Sequence, residues 1–196
     1  IVLLLIVVTL IVIGIVYLEM GKAGPLSVAP TVEIALPDVS TSPSTTVSLM
    51  LPQKDRIALK EKLYPRAKEI SSPSGFVNTN GLPIKIADYI GKKVILLDIM
   101  TYSCINCIRT FPYINSWYEK YEDKGLIVIG IHTPEFDFEK NIDNVKVAME
   151  KFGIKFPVVL DNDYGTWTAY KNLYWPRKYL IDIDGFIAYD HIGEGK

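Results

Sequence analysis

The sequence predicts an α/β domain, with a mixed central sheet flanked by helices, preceded by one N-terminal transmembrane helix. Three observations lead to this prediction. Residues 1–18 form an uncharged apolar run, and from Phe76 onward short aliphatic runs alternate with helical patterns. A turn signal at 183–185 separates two final strand patterns. The alternation is typical of α/β domains, and the closing pair of strands makes the sheet mixed.

Composition excludes several classes of protein. The 196 residues include 21 Lys and Arg and 22 Asp and Glu, a formal net charge of −1. Because there is no basic excess, we expect no nucleic-acid partner. Charged residues at 22% and aromatic residues at 11% exclude a disordered chain. Two cysteines are too few for a scaffold held together by disulfides.

The apolar run at residues 1–18 predicts a single-pass signal anchor. As a helix it would span about 27 Å, close to a bilayer core of about 30 Å. The run is longer than the roughly 7–15 apolar residues of a signal peptide, and residues 19–25 offer only a poor cleavage site. Cleavage and a buried core helix are the alternatives. No Lys or Arg occurs between Lys22 and Lys54, which favours an extracytoplasmic location, at the cell membrane, for the rest of the chain.

Two segments connect this anchor to the domain. Residues 19–56 are rich in Pro, Ser and Thr, which predicts a flexible tether. Residues 57–75 have a helical composition broken by Pro65, and we interpret them as a helical lead-in with a solvated charged face. Residues 76–196 form the α/β domain.

The first half of the domain predicts a strand, a helix and a second strand. The runs at 94–100 and 126–131 are β-branched and aliphatic, as expected of strands covered on both faces. Between them, residues 107–124 fit a helix that Pro112 interrupts early. A strand, a crossover helix and a strand predict a parallel pair.

The second half predicts one more helix and three strands. Residues 138–152 carry a helical pattern, and 156–160 form a short strand or extended segment. Residues 178–182 and 186–190 flank the turn signal Ile-Asp-Gly at 183–185, which predicts a hairpin.

Both cysteines lie in the motif Cys104-Ile105-Asn106-Cys107, between a buried strand and the start of a helix. The unpaired N–H groups and positive potential of a helix N-terminus lower the pKa of a thiol. We therefore expect Cys104 to be the exposed nucleophile. Cys107 lies about one turn deeper, where it can attack a mixed disulfide and release the product.

The cysteines allow three other interpretations. A zinc site requires further ligands, and His132 and His191 lack the spacing of a zinc finger, so no metal and no cofactor beyond the cysteine pair are expected. A structural disulfide would close too small a loop to stabilise much. A thiol peroxidase is the main alternative, because T-Y-S-C ending at Cys104 matches the end of the pattern PxxxTxxC. However, Leu97 replaces its proline, and Cys107 is unusually close for a resolving partner.

Three long segments resemble a known family. They are TYSCINCIRTFPYINSWYEKYEDKGLIVIGIHTPEFDFEKN, PVVLDNDYGTWTAYKNLYWPRKYLIDIDGFI and HIGEG. Together they resemble the thioredoxin-like (redoxin) domain of DipZ-type proteins, relatives of the membrane-tethered TlpA/ResA thiol–disulfide oxidoreductases. The resemblance covers residues 75–196. It implies a thioredoxin-like fold, dithiol exchange with client proteins, and electron supply from a membrane reductase of the CcdA/DsbD kind.

The resemblance also implies roles for individual residues. Cys104 matches the attacking thiol and Cys107 the resolving thiol. Pro176 matches the cis-proline that faces the dithiol across the substrate groove, and we expect a client strand to pair with the backbone of Trp175. Asp98 matches a buried carboxylate that accepts the proton of the resolving thiol, with a pKa raised by burial.

Other residues carry weaker expectations. Glu135 follows the second core strand and is expected near the dithiol, whereas His132 is interpreted as structural. Asp161 begins a capping turn rather than a calcium loop. Two features depart from the family: Met100 replaces a tryptophan that precedes the active-site loop, and the expected final helix would lie beyond Lys196, so we expect a partial sequence.

These residues together predict a membrane-tethered thiol–disulfide oxidoreductase. A reducing direction is favoured because Ile105-Asn106, between the cysteines, contains no histidine that would stabilise the thiolate. A thiol peroxidase and a non-catalytic docking domain are the alternatives.

Overall fold

A computed structural model describes residues 52–195. The predicted transmembrane segment, 1–18, and most of the predicted tether, 19–56, lie outside the described residues. Within the described part of the chain, no helix combines the length and apolar character needed to cross a membrane.

Within residues 52–195, six strands form one sheet. Its mixed character was predicted, whereas its first strand, Gly75–Val77, was not. The strands are β1 Gly75–Val77, β2 Val94–Met100, β3 Leu126–His132, β4 Val158–Leu160, β5 Arg177–Ile181 and β6 Ile187–Ile192. Strands β2, β3 and β4 are parallel, while β1, β5 and β6 pair antiparallel with their neighbours. The strand order is β1-β4-β3-β2-β5-β6. Strand β2 therefore lies inside the sheet, with its carboxyl end leading directly into the cysteine motif.

Four α-helices accompany the sheet in residues 52–195. They are α1 Gln53–Leu63, α2 Ile105–Tyr121, α3 Ile142–Lys151 and α4 Gly165–Ala169. Helix α2 begins two residues before the predicted start, because Cys104 adopts an extended N-cap conformation with φ −67° and ψ 115°. Contrary to the expected interruption, α2 continues through Pro112. Its apolar side, which includes Phe111, packs in the core beside the sheet and supports the helix where proline removes a hydrogen bond.

The core lies on both faces of the sheet, which confirms the prediction that β2 is covered on both sides. Alternate residues of a strand point to opposite faces. Ile95, Leu97 and Ile99 belong to one apolar cluster, and Leu96 and Met100 belong to the cluster that contains α2. Side chains on even-numbered positions of β2 are therefore directed toward the cysteine-bearing helix.

Helix α1 corrects two expectations about the lead-in. It begins at Gln53, inside the predicted tether, and its charged residues are not simply solvated. Arg56 Nη2 lies 2.7 Å from Asp184 Oδ1, and Lys60 Nζ lies 2.5 Å from Asp182 Oδ2. Both aspartates belong to the turn between β5 and β6, so α1 is fixed to this hairpin by ion pairs. Arg56 and Lys60 recur one helical turn apart, which explains how both reach the same turn.

An apolar groove of about 850 Å³ lies on the α2 side of the sheet. Its walls include Trp117 of α2, Leu96 of β2, Leu180 of β5 and Tyr189 of β6. Lys178, on β5, also lines the groove.

Candidate active site

The two cysteines lie at the N-terminus of α2 in different environments. Cys104 is the N-cap residue and is half-buried, whereas Cys107 is fully buried. No disulfide joins them in this structure. Cys104 is accessible to another molecule and Cys107 is not.

The electrostatics of Cys104 favour its thiolate. The pKa of Cys104 is lowered to about 6, first by a hydrogen bond with the Cys107 side chain. Burial opposes this shift, while the backbone N–H groups of Cys107 and Asn106 reinforce it. Cys104 is therefore a thiolate near neutral pH, the form that attacks disulfides.

The electrostatics of Cys107 favour its thiol. Burial raises the pKa of Cys107 strongly, and the hydrogen bond with Cys104 and the charge of Asp98 raise it further. The backbone at Thr101 has a smaller opposing effect. Cys107 thus needs a base, or the loss of the Cys104 charge, before it can react.

Asp98 lies on the α2-facing side of β2 and is completely buried. Its neighbours across the sheet are Gly130 on β3 and Lys178 on β5. Burial raises the pKa of Asp98, and the nearby Lys178 ammonium only partly offsets this. A carboxyl group with a raised pKa can exchange a proton with a thiol near neutral pH, as the sequence-based hypothesis for Asp98 requires.

Trp175 and Pro176 lie opposite Cys104, and the bond between them is cis. The Sγ atom of Cys104 lies 3.9 Å from the carbonyl oxygen of Trp175. The indole N–H of Trp175 donates to the carbonyl of Thr133 at 3.0 Å, and its ring packs on Trp167 with centroids 4.2 Å apart. The Trp175 side chain is therefore held in place beside Cys104.

A capping residue supports this aromatic pair. Both carboxylate oxygens of Asp161 accept backbone N–H groups at the start of α4, from Thr166 at 2.8 Å and Trp167 at 2.9 Å. The Thr133 hydroxyl also donates to Asp161. Asp161 thus caps α4, as the sequence predicted, and positions Trp167 against Trp175.

Glu135 lies near the dithiol, but it is exposed, and its charge raises the pKa of Cys104. The Glu135 charge therefore opposes the hydrogen bonds from Cys107 and Asn106, which favour the Cys104 thiolate. The buried carboxylate that contacts the active-site loop is instead Glu139, which sequence reasoning missed.

Glu139 is fully buried and connects two loops. Its Oε1 accepts the hydroxyls of Thr101 and Ser103, each at 2.6 Å, and its Oε2 accepts the backbone N–H groups of Glu135 and Phe136. Burial alone would raise the pKa of Glu139, but these hydrogen bonds outweigh it and lower the pKa. The ionised carboxylate holds the segment that precedes Cys104 against the loop that follows β3.

His132 belongs to the same buried cluster. Its Nε2 lies 3.3 Å from the Thr101 hydroxyl, and its ring stacks on Tyr102 with centroids 5.4 Å apart. Burial lowers the pKa of His132 to about 4, so the ring is neutral at physiological pH. This geometry agrees with a structural role for His132.

The mixed sheet and the site together define a thioredoxin-like dithiol protein: an accessible thiol with a lowered pKa caps a helix, and a buried thiol lies one turn deeper. The chain belongs to the AhpC/TSA family, whose sequence pattern matches residues 65–190.

Two relatives of known name are informative. The chain is 47% identical over 130 residues to Protein DipZ of Mycobacterium tuberculosis, covering 66% of this chain and 19% of that protein. It is 34% identical over 114 residues to the thiol-disulfide oxidoreductase ResA of Bacillus anthracis, covering 58% of this chain and 62% of ResA. The chain therefore spans about a fifth of the length of DipZ, and the resemblance inferred from the sequence is confirmed.

Solved structures confirm the thioredoxin-like fold. A thioredoxin-like protein in the oxidized form matches with a TM-score of 0.62 and 25% identity, covering 68% of this chain and 88% of that one. A thiol-disulfide isomerase from Corynebacterium glutamicum matches with a TM-score of 0.58 and 22% identity, covering 69% and 90%; at this identity it supports the fold alone.

Proposed function

We propose that this chain is a thiol–disulfide oxidoreductase that exchanges disulfides with client proteins through Cys104 and Cys107. The observation that carries the proposal is the contrast between the two thiols. Cys104 is accessible and has a pKa lowered to about 6, whereas Cys107 is buried and has a raised pKa. The similarity to ResA supports the same reaction class.

The reaction has two steps. The Cys104 thiolate attacks a client disulfide, which forms a mixed disulfide and expels one client thiolate. Cys107 then loses its proton and attacks Cys104 Sγ, which closes the Cys104–Cys107 disulfide and releases the second client thiolate. The client gains two electrons from the dithiol, and its two thiolates take up one proton equivalent to that lost by Cys107 and one from solvent.

We further propose a reducing role at the extracytoplasmic face of a membrane. Residues 1–18 serve as the anchor, and a membrane reductase of the CcdA/DsbD kind returns electrons to the disulfide. A pKa near 6 at Cys104 is closer to the value of about 7 in thioredoxin than to the value of about 3.5 in a strong oxidant. Less stabilisation of the thiolate favours transfer of electrons to the client.

Client strands are proposed to bind along Trp175. Its backbone carbonyl lies beside Cys104 Sγ, and its ring is fixed on Thr133 and Trp167. An extended client segment that pairs with this backbone would place its disulfide next to the nucleophile. Backbone pairing gives broad specificity, and the indole ring adds an apolar wall.

Two measurements test the activity and its direction. With dithiothreitol as electron source, the wild type should accelerate the reduction of a model protein disulfide, while Cys104→Ser should not; equal rates would reject the proposal. The reduction potential of the pair, from equilibration with glutathione, should lie nearer to thioredoxin, about −270 mV, than to a strong oxidant, about −120 mV. A value near the latter would reject the reducing role.

A thiol peroxidase is the second candidate, because the AhpC/TSA match and the low-pKa, accessible Cys104 also suit a peroxidatic cysteine. The Thr101 hydroxyl, however, donates to Glu139, and Cys107 is within hydrogen-bonding reach of Cys104. Rapid consumption of hydrogen peroxide, with a sulfenic acid on Cys104 in Cys107→Ser, would favour the peroxidase.

A further inference from the structure

Two phenyl rings lie exposed near the active-site loop, and the two-step reaction does not use them. Phe136 and Phe138 are 49% and 53% exposed, and neither belongs to the apolar core clusters of residues 52–195. Their ring centroids lie 5.5 Å apart with the planes 6° from parallel. Tyr102 packs against Phe138 at 6.3 Å, and its hydroxyl donates to the Phe138 carbonyl. A contiguous aromatic surface in a defined arrangement is more typical of a binding site than scattered exposed side chains are.

Hydrogen bonds fix this aromatic surface relative to Cys104. The Oε2 atom of Glu139 accepts the backbone N–H of Phe136 at 2.9 Å, and its Oε1 accepts the hydroxyl of Ser103 at 2.6 Å. Ser103 immediately precedes Cys104 in the chain. A single buried carboxylate therefore joins the residue next to the nucleophile to the start of the aromatic segment.

Glu135, which immediately precedes Phe136, adds an unpaired negative charge to this surface. Its side chain is exposed, and its backbone N–H also donates to Glu139. None of the ion pairs among residues 52–195 includes Glu135. Its charge acts on Cys104, whose pKa it raises. A carboxylate without a cation partner thus lies beside both the rings and the nucleophile.

The positive groups of this region are paired or distant. Lys140 Nζ lies 2.7 Å from a carboxylate oxygen of Asp137, and Arg109 of α2 lies 2.8 Å from a carboxylate oxygen of Glu194. Lys151 is the last residue of α3, about 14 Å along the helix from its start, which follows the aromatic segment. The charge of Glu135 is therefore available to a positive group from another molecule.

We propose that Glu135, Phe136 and Phe138 recognise a basic side chain, Arg or Lys, that lies next to the disulfide of the client. The inference rests on the proposed disulfide exchange and names a class of client for it. The face of a phenyl ring attracts a cation, and the ring also packs against the methylene groups of Arg or Lys. The carboxylate pairs with the charged head of the same side chain.

The size of the surface favours a single client side chain over a second folded protein. Three adjacent residues offer far less area than a stable interface between two proteins needs. A client that is already held at Cys104 requires only a supplementary contact. An exposed ion pair and an exposed cation–π contact each change an affinity only a few-fold, so we expect a preference of about fivefold for basic clients.

The experiment isolates the attack of Cys104 in the full chain carrying Cys107→Ser. Its substrates are peptides whose single cysteine is joined to thionitrobenzoate. The Cys104 thiolate attacks the peptide sulfur, a Cys104–peptide disulfide forms, and thionitrobenzoate leaves and is measured by absorbance. Paired peptides differ only in an arginine or its uncharged analogue citrulline, before the cysteine in one pair and after it in the other. In at least one pair, the arginine peptide should react about fivefold faster.

Three variants assign this preference to the proposed surface. Glu135→Gln should reduce it to about twofold, and so should Phe136→Leu combined with Phe138→Leu, because leucine is apolar but has no aromatic face. Glu122→Gln removes an exposed carboxylate beyond the last turn of α2 and should leave the preference unchanged. The ratio of the arginine and citrulline rates is compared, because the change that Glu135→Gln causes in the pKa of Cys104 cancels in this ratio.

The possible failures are distinguishable. No release of thionitrobenzoate from any peptide, together with no reduction of a protein disulfide by the wild type, would contradict the proposed function itself. Release at equal rates from the arginine and citrulline peptides of both pairs would overturn the recognition of basic clients alone. A preference that stays unchanged in Glu135→Gln or in the double leucine variant would also overturn it, since the preference would then arise elsewhere.

Discussion

The Sγ atom of Cys104 lies 3.9 Å from the carbonyl oxygen of Trp175, although 71 residues separate them in the chain. This contact places a backbone acceptor beside the Cys104 sulfur. Because the Trp175 ring is fixed by Thr133 and Trp167, the acceptor is held in a defined position. The geometry suits a client that binds in an extended conformation with its disulfide over Cys104.

The first prediction concerns this surface. In Trp175→Ala, Cys104 should attack a protein disulfide several-fold more slowly, because the wall beside it is lost, whereas a small aromatic disulfide should react at nearly the wild-type rate. Stopped-flow rates with the two substrates provide the comparison. Trp117→Ala, which removes a half-exposed tryptophan from α2 in the groove, is the matched control. Equal slowing by both variants would show that Trp175 has no special role in client binding.

The second prediction concerns the two thiols. The rate of alkylation of Cys104 by iodoacetamide should rise with pH through a midpoint of about 6, well below the value of about 8.5 for a free thiol. Cys107 should remain unlabelled in the native protein, because it is buried with a raised pKa. Mass spectrometry of the labelled peptides assigns the sites. Faster labelling of Cys107 would reverse the two assigned roles.

The third prediction separates the two glutamates. Glu139→Gln should lower the free energy of unfolding by about 2 kcal/mol, because the hydroxyls of Thr101 and Ser103 lose a charged acceptor. Hydrogen exchange at the Ser103 amide should accelerate. Glu135→Gln should leave stability within about 0.5 kcal/mol, and it should lower the pKa of Cys104 slightly, because the Glu135 charge raises that pKa.

Urea denaturation and the alkylation profile measure both effects. Equal stabilities for the two glutamate variants would mean that the hydrogen bonds of Glu139 do not hold the active-site loop.

The fourth prediction concerns the pH dependence of stability. The hydrogen bond from Arg56 lowers the pKa of Asp184 from 3.8 to about 2, with Lys60 adding to the effect and burial opposing it. A carboxyl group with a depressed folded-state pKa stabilises the fold above its unfolded value and loses that contribution as pH falls. We expect Asp184→Asn to cost about 1–2 kcal/mol at neutral pH, allowing for partial exposure of the partners.

The cost of Asp184→Asn should shrink between about pH 4 and about pH 2, which denaturation at each pH measures. Asp163→Asn, at an exposed position, is the control and should show no such trend. A constant cost across this range would mean that the ion pairs with α1 do not control the ionisation of Asp184.

Much of the sheet was predictable because its signals are local. The aliphatic run at 94–100 coincides with β2, and the run at 126–131 matches β3 to within one residue. The turn at 183–185 was also predictable, since Gly185 adopts φ +87°, a conformation that favours glycine. Helix α4 was missed because five residues, Gly165–Ala169, are too few to show a helical period.

The missed site residues depend on contacts between distant parts of the chain. Nothing near Glu139 in the sequence indicates that it accepts hydrogen bonds from Thr101 and Ser103, which precede it by 38 and 36 residues. The only local signal was its position soon after β3, and that position equally suggested Glu135. In the sequence, Lys178 resembles an ordinary strand lysine. Its burial becomes evident only from the pairing of β5 with β2, which sets Lys178 opposite Asp98.

The proposed reaction is tested most directly by trapping its intermediate. Cys107→Ser, incubated with a protein disulfide, should accumulate a stable mixed disulfide through Cys104, because the resolving thiol is absent. Intact-mass and peptide mass spectrometry identify the adduct and its site. The wild type should show the adduct only transiently, and Cys104→Ser should show none. If Cys107→Ser forms no adduct, or if Cys104→Ser forms one through Cys107, the proposed dithiol exchange is wrong.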